Sequence, residues 1–175
     1  VFFGKELEEK YNSLEESLQG ISDQSLQGMV FCSGYNPERV PFFRQSLNDV
    51  KDIFMINVIA AHQIARIVGN KMQSNKSLEN GSIVFISSQV ANYGSKGISA
   101  YVASKGGLNS LGISLAKELG PLNIRVNVVS PGLVNTNKVN SEVVQNISGS
   151  TPLNRICNTN DIANVVSFLF SRESY

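Results

Sequence analysis

Short apolar runs and long amphipathic stretches take turns along this chain of 175 residues. "GMVFCSG" (Gly28 to Gly34), "GSIVFISS" (Gly81 to Ser88) and "NIRVNVVSPG" (Asn123 to Gly132) are brief, rich in Val, Ile and Phe, and bounded by Gly, Ser or Pro. That pattern predicts strands buried on both faces. From Ser46 to Met72 the residues Val50, Ile53, Phe54, Ala61, Ile64, Ala65 and Val68 recur at helical spacing. They predict a helix with a wide apolar face, entered through Ser46 or Asn48 as N-cap. Ala100 to Gly120 repeats the spacing through Val102, Leu108, Leu111, Leu115 and Leu119, and Gly120-Pro121 ends it. The opening segment, Gly4 to Ile21, is charged and amphipathic, and Asn160 to Ser171 begins with Asn160 or Asp161 in a capping position. Both read as helices.

This alternation predicts an α/β fold, a Rossmann-like doubly wound parallel sheet with helices on both faces, as one domain over residues 1–175. In such sheets ligands bind beyond the carboxyl ends of the strands. Ser33-Gly34, Ser87-Ser88 and Ser130-Pro131-Gly132 occupy those positions. Composition adds mainly exclusions. With 42% hydrophobic and 17% charged residues the chain is expected to fold, and a net charge of +1 on scattered basic residues points away from nucleic-acid and membrane partners. No uninterrupted apolar run nears the roughly 20 residues that span a bilayer, so a soluble, cytoplasmic protein is the expectation. Cys32 and Cys157 lack CxxC spacing and His62 is the sole histidine, which argues against a disulfide framework or a metal site. Cys32 is expected as a small buried apolar residue and His62 as a packed or partner-facing one. Phe42-Phe43 is read either as core or as the lining of an entrance.

The candidate chemistry lies in "SAYVASKGG", Ser99 to Gly107, where Tyr101 and Lys105 share a helix face. Such a pair is common by chance, so its neighbours decide its meaning. A phenol with a pKa of about 10 is a poor acid–base catalyst at neutral pH unless a nearby ammonium lowers it, and Lys105 is spaced to do so. Ser88, at the end of a strand, is placed to hydrogen-bond a substrate carbonyl where charge develops. Asn57, within the preceding helix, completes a set of four candidates. The small residues Ala100, Ala103, Ser104, Gly106 and Gly107 are expected to let a ligand and neighbouring backbone approach that helix.

Asn57, "IVFISSQV", "AYVASKGG" and "IRVNVVSPGLVNT", in this order and spacing, resemble the core of the short-chain dehydrogenase/reductases, in the branch that includes the β-ketoacyl-carrier-protein reductases. The resemblance runs from about Gly28 to the end of the chain. It implies NAD(H) or NADP(H) as cofactor and a small carbonyl or alcohol as substrate, with Tyr101 as general acid/base and Ser88 orienting the substrate oxygen. Lys105 would hold the nicotinamide ribose, and Asn57 would anchor a water in the proton relay. Ser33, Gly34, Pro131, Gly132, Val134 and Thr136 would line the cofactor, and the two long helices would pack homodimers or homotetramers. The chain also departs from the family pattern. Phe31-Cys32-Ser33-Gly34 stands where Asn-Asn-Ala-Gly is usual, no TGxxxGxG turn precedes Gly28, and no Val-Asp-Gly-Gly follows Tyr175. A partial chain, lacking its N-terminal strands and C-terminal strand, is therefore expected. The alternative function is a catalytically silent dinucleotide-binding regulator or assembly member. Substrate identity would rest on the loop Asn137 to Thr151 and on Gln89 and Tyr93, none of which carries a readable code.

Overall fold

The computed structural model describes residues 26–36, 38–75, 79–136 and 147–175, with residue 144 and residues 12–13, 15–17 and 19 of the opening segment. Three parallel strands form its sheet in the order β1 (Gly28–Phe31), β2 (Gly81–Ile86) and β3 (Ile124–Val129). Gly28 pairs with Ser82, and Gly81 with Ile124. The strands coincide with the three apolar runs, each ending just short of its Ser, Gly or Pro residues. Because all three run the same way, the segments after Phe31, Ile86 and Val129 gather at one edge.

Helices cover both faces, and strand periodicity decides which side chains each face receives. Ile83 and Phe85 point, with Phe31, Ile124 and Val126, to the side packed by Ala61, Ala65, Val68, Met72 and Leu108. These last five belong to α2 (Ala60–Ser74) and α4 (Ser99–Leu119). The alternate residues face α5 (Thr159–Phe170), whose Leu169 carbonyl accepts from Ser82 Oγ and Arg125 Nη2, both at 2.9 Å. Burial on both faces therefore holds for β2 and is corrected for its neighbours. Only β2 is buried almost throughout, because α5 lies over β2 and β3 and leaves Val30 of β1 40% exposed.

The first long helix is continuous from Leu47 to Ser74, made of α1 (Leu47–Phe54), a π-helical turn (Met55–Ile59) and α2. Ser46 is its N-cap, accepting from the Asp49 amide, so of the two cap candidates Asn48 is not the one used. Among the described residues it is the one helix long and apolar enough to cross a membrane by length and composition. Its apolar stripe, however, forms the core: Ala61, Ala65, Val68 and Met72 are all buried. At α5 the expected cap is corrected. Asn158 caps the helix, accepting from the Asp161 amide at 2.8 Å while the Asp161 carboxylate accepts from the Asn158 amide at 2.9 Å.

One other expectation changes, for Cys32, and for His62 and for Phe42-Phe43 one of two alternatives is removed. Cys32 is exposed, since β1 ends at Phe31 and the next residues stand clear of the helices. His62 is exposed on α2. Phe42 and Phe43, in a 3-10 turn (Phe42–Arg44), are 69% and 96% exposed and lie outside the core. A pair of two-residue parallel strands, β4 (Val134–Asn135) and β5 (Cys157–Asn158), was not anticipated. Of the loop Asn137 to Thr151, residues 137–143 and 145–146 lie outside the described residues, as do most of the opening segment's. The opening segment's described residues are helical, and Glu15 there pairs with Arg66 of α2 at 3.2 Å.

Close packing on α4 is concentrated at one glycine. A Cβ at Gly112 would stand 2.3 Å from Val128 Cγ2, whereas one at Gly106 would meet no atom within 4 Å and one at Gly107 would only touch Val58 at 3.6 Å. Gly112→Ala is expected to lower unfolding free energy by about 1–3 kcal/mol, the usual range for overpacking. Urea denaturation checks this, and an unchanged midpoint would show that Val128 yields freely.

Candidate active site

Lys105 is 3% exposed, and its Nζ donates to the carbonyl of Ile86, the last residue of β2, at 2.9 Å. One residue further, Ser87 Oγ donates to the Lys105 carbonyl at 3.1 Å. The end of the central strand thus grips α4 twice, from the side chain and from the backbone of the same lysine. One turn earlier on α4, Tyr101 presents its ring to the ammonium, 5.8 Å from Nζ to the ring centroid. Ser88, two residues beyond β2, lines the same cavity as the phenol and lies close enough to influence its protonation.

Asn57 joins this group from a different element. It sits in the π-helical turn, where the Ala60 amide bonds back five residues to the Met55 carbonyl. Such wide turns are rare in helices and recur at functional sites. The side chain is fully buried, and its polar atoms are all satisfied. Its Oδ1 accepts from the Tyr35 amide at 2.7 Å, and its Nδ2 donates to the Tyr35 carbonyl at 3.0 Å and to Ser104 Oγ at 2.9 Å. Ser104 in turn donates to the Tyr101 carbonyl at 2.8 Å. The loop after β1, the π-turn and α4 are therefore joined in one network. Neither Ser104 nor Tyr35 stood out as functional in the sequence. Ser104 sits three residues from Tyr101, a spacing that permits back-bonding, but its partner Asn57 is 47 positions away and invisible to local spacing.

The remaining predicted positions divide. Gly34 lies over the cluster, where a Cβ would stand 3.4 Å from Lys105 Nζ and 3.7 Å from Asn57 Oδ1. Pro131 and Gly132 abut Gln89: its amide donates to the Pro131 carbonyl at 2.9 Å, and its side chain fills the space beside Gly132. Val134 is held in β4. Ser33 and Thr136 are exposed, and among the described residues they form no side-chain hydrogen bond. Ser88 and Tyr101 open onto a cavity of about 910 Å³ that extends past Gly132 to the segment around Ile147–Cys157. An organic ligand of ordinary size fits such a volume.

Electrostatics here correct one expectation. The Tyr101 phenol is pushed above the ordinary tyrosine value, because burial disfavours the phenolate more than the Ser88 hydrogen bond favours it. The Lys105 ammonium, 5.8 Å from the ring centroid, does not reverse this. Burial also pushes Lys105 below the ordinary lysine value, with attraction to Cys32 opposing the shift. The arrangement thus holds a protonated phenol beside a hydroxyl at the floor of a cavity, with a buried cation behind it. It can deliver a proton to an oxygen placed between Ser88 and Tyr101.

A doubly wound α/β sheet with a Ser–Tyr–Lys cluster at its carboxyl edge defines a class, and comparison with known proteins gives the family. A family model described as enoyl-(acyl carrier protein) reductase matches residues 7–175. The 3-oxoacyl-[acyl-carrier-protein] reductase FabG of Aquifex aeolicus is 32% identical over 167 residues, 94% of this chain and 65% of that protein. The (3R)-3-hydroxyacyl-CoA dehydrogenase of Homo sapiens is 31% identical over 164 residues, 92% of this chain and 62% of that one. Among solved structures, a short-chain type dehydrogenase/reductase from Mycobacterium ulcerans superposes with a TM-score of 0.85 at 26% identity, over 95% of this chain and 61% of the other. A 4-hydroxyisoleucine dehydrogenase complexed with NADH gives 0.83 at 27% identity, over 95% and 70%. The chain belongs to the short-chain dehydrogenase/reductase family. It spans just under two thirds of the length of the two relatives described.

The buried lysine makes a stability prediction. With its folded-state pKa below the unfolded value, the unfolded chain binds more protons between the two, so stability rises with pH through that window. Lys105→Met, which removes the buried charge, is expected to be as stable as wild type or more so at pH 7, by up to about 1 kcal/mol. Its advantage should shrink as pH climbs toward the lysine range. Urea denaturation at pH 7 and pH 10 checks both points; a variant clearly weaker at pH 7 would show that the bond to Ile86 outweighs desolvation.

Proposed function

We propose that this chain carries the catalytic core of an NAD(P)-dependent oxidoreductase that interconverts a ketone or aldehyde and its alcohol. The observation that supports it most is the Ser88–Tyr101 pair at the cavity floor, backed by the buried ammonium of Lys105. The named relatives are reductases and dehydrogenases, and one solved neighbour is complexed with NADH.

The residues present fit a nicotinamide cofactor: Gly34 leaves free the space a Cβ would take beside Lys105 and Asn57. Lys105 would bind the ribose next to the nicotinamide, with Ser33, Gly34, Pro131, Gly132, Val134 and Thr136 along the rest of the cofactor. When bound, the cofactor supplies or accepts the hydride at the substrate carbon. The protein's share is the oxygen. Ser88 donates a hydrogen bond to the carbonyl oxygen, and Tyr101, kept protonated by burial, donates its proton to that oxygen as charge develops. The phenolate left behind faces the Lys105 ammonium, and a proton from solvent restores it. Asn57 acts in this scheme through position: its side chain is used up in bonds to Tyr35 and Ser104, so its contribution to a water relay would come from its backbone.

The silent-member alternative makes the opposite prediction for one substitution. Tyr101→Phe is expected to cut kcat by about a thousandfold or more, the upper range of general acid–base contributions, with thermal stability close to wild type. No turnover in either protein with bound cofactor would favour the silent reading, and turnover in Tyr101→Phe equal to wild type would remove Tyr101 from the chemistry. The raised phenol pKa also predicts the pH profile. Reduction should hold its rate through neutral pH and fall only above the ordinary tyrosine range, while oxidation, which needs the phenolate, should rise across the same interval.

Assembly follows the same reading. The long helices leave Ile56, Ile59 and Ile113 38%, 41% and 61% exposed, consistent with a homodimer or homotetramer packed through them. Light scattering is expected to give a mass of two or four chains; a monomer at micromolar concentration would exclude it.

A further inference from the structure

The cavity over Ser88 and Tyr101 has an uneven wall. Val90, Leu133, Ile147, Leu153 and Ile156 supply an apolar side, and among the described residues that line it no carboxylate appears. Among those residues the charged side chains are two arginines, Arg39 and Arg155. Arg155 is neutralised locally, 2.6 Å from Asp161 at the start of α5. Arg39 is in a different state. Its Nη1 donates to Ser95 Oγ at 2.9 Å and to the Lys96 carbonyl at 2.6 Å, both neutral acceptors, and among the described residues it has no acidic partner.

The segment carrying Arg39 is fastened as well. The Val40 amide donates to the Gly97 carbonyl at 3.0 Å. Gly97 has a φ of 80°, which favours glycine, and a Cβ there would crowd Arg39 Cβ at 3.2 Å. The guanidinium is thereby held against the loop before α4, with its other N–H donors left over and its charge uncompensated. Arg39 is exposed, but its two fixed acceptors and its place in the lining of the cavity that reaches Tyr101 set it apart from a freely solvated arginine.

We propose that the substrate is an anionic carbonyl compound with an apolar body, its negatively charged group received by Arg39 while its carbonyl oxygen lies between Ser88 and Tyr101. The proposal rests on the oxidoreductase reading above and names the substrate class for that same site. A planar guanidinium suits a carboxylate or phosphate, since two N–H groups can meet two oxygens at once. The apolar residues cover the chain between the two ends, and no carboxylate stands among the described residues that line the cavity. Part of this attraction is screened by salt, so preference for the anion should fall as ionic strength rises.

The test uses straight-chain methyl ketones ending in a carboxylate, each beside the methyl ketone of equal length without it, with NADH and NADPH. At the best chain length the oxo acid is expected to exceed the neutral ketone about tenfold or more in kcat/KM, a difference the size of one charge-assisted contact. Arg39→Gln should erase most of that preference through KM, while Arg39→Lys, which keeps the charge, should retain part of it. Equal use of the paired ketones by wild type, or the same preference in wild type and Arg39→Gln, overturns the proposal. A raised KM for NADH or NADPH with the preference intact would assign Arg39 to the cofactor and also overturn it. If no ketone is turned over, the oxidoreductase reading fails separately, and broadening of the oxo-acid NMR signals by the protein decides the arginine. Broadening lost in Arg39→Gln supports the anion site; broadening that is absent, or unchanged in the variant, removes it.

Discussion

A buried ammonium with a single backbone acceptor is the constraint on which this site depends. Removing Lys105 from water is costly, and one bond to the Ile86 carbonyl recovers only part of what is lost. The fold tolerates this because the lysine joins the end of the central strand to α4, at the edge where the parallel strands all terminate. Tyr101 and Ser88 take their positions from the same junction, one by helical spacing and the other by chain continuity from β2.

Asn57 extends the junction to a third element. An α-helix turned regularly through Met55–Ile59 would aim this residue elsewhere, and the wider π-turn brings its amide between Tyr35 and Ser104. With every polar atom of the side chain bonded, the asparagine is a clamp between the loop after β1 and α4. The loop's Gly34 then lies over Lys105 with no side chain to obstruct a ligand. Gly112 has the equivalent role on the sheet side, where its missing Cβ lets α4 settle on Val128.

These features were unequally legible. The three strands, both long helices, the Tyr101–Lys105 pair and the place of Ser88 follow from periodicity and from the rule that ligands meet parallel sheets at their carboxyl ends. The π-turn was not readable, because its residues carry the same apolar spacing as the helix around them. Asn158 was missed as a cap because Asn160 and Asp161 are equally good capping types, and hydrogen bonding chose among them. Cys32 looked like a core residue by type, yet it falls one position past the strand and so stands outside the packed layers.

What the sequence by itself determined is the order of elements and which chemical groups stand at strand ends or share a helix face, since both depend on local period and chain continuity. Tertiary structure decided the energetics of those groups. Spacing suggested that Lys105 would lower the Tyr101 pKa, but burial raises it and commits the ammonium to Ile86. It also decided that Ser104 and Tyr35 complete the network and that Arg39 lacks an acidic partner among the described residues. Desolvation and long-range hydrogen bonds depend on which atoms are brought together in space, and no local pattern along the chain encodes that.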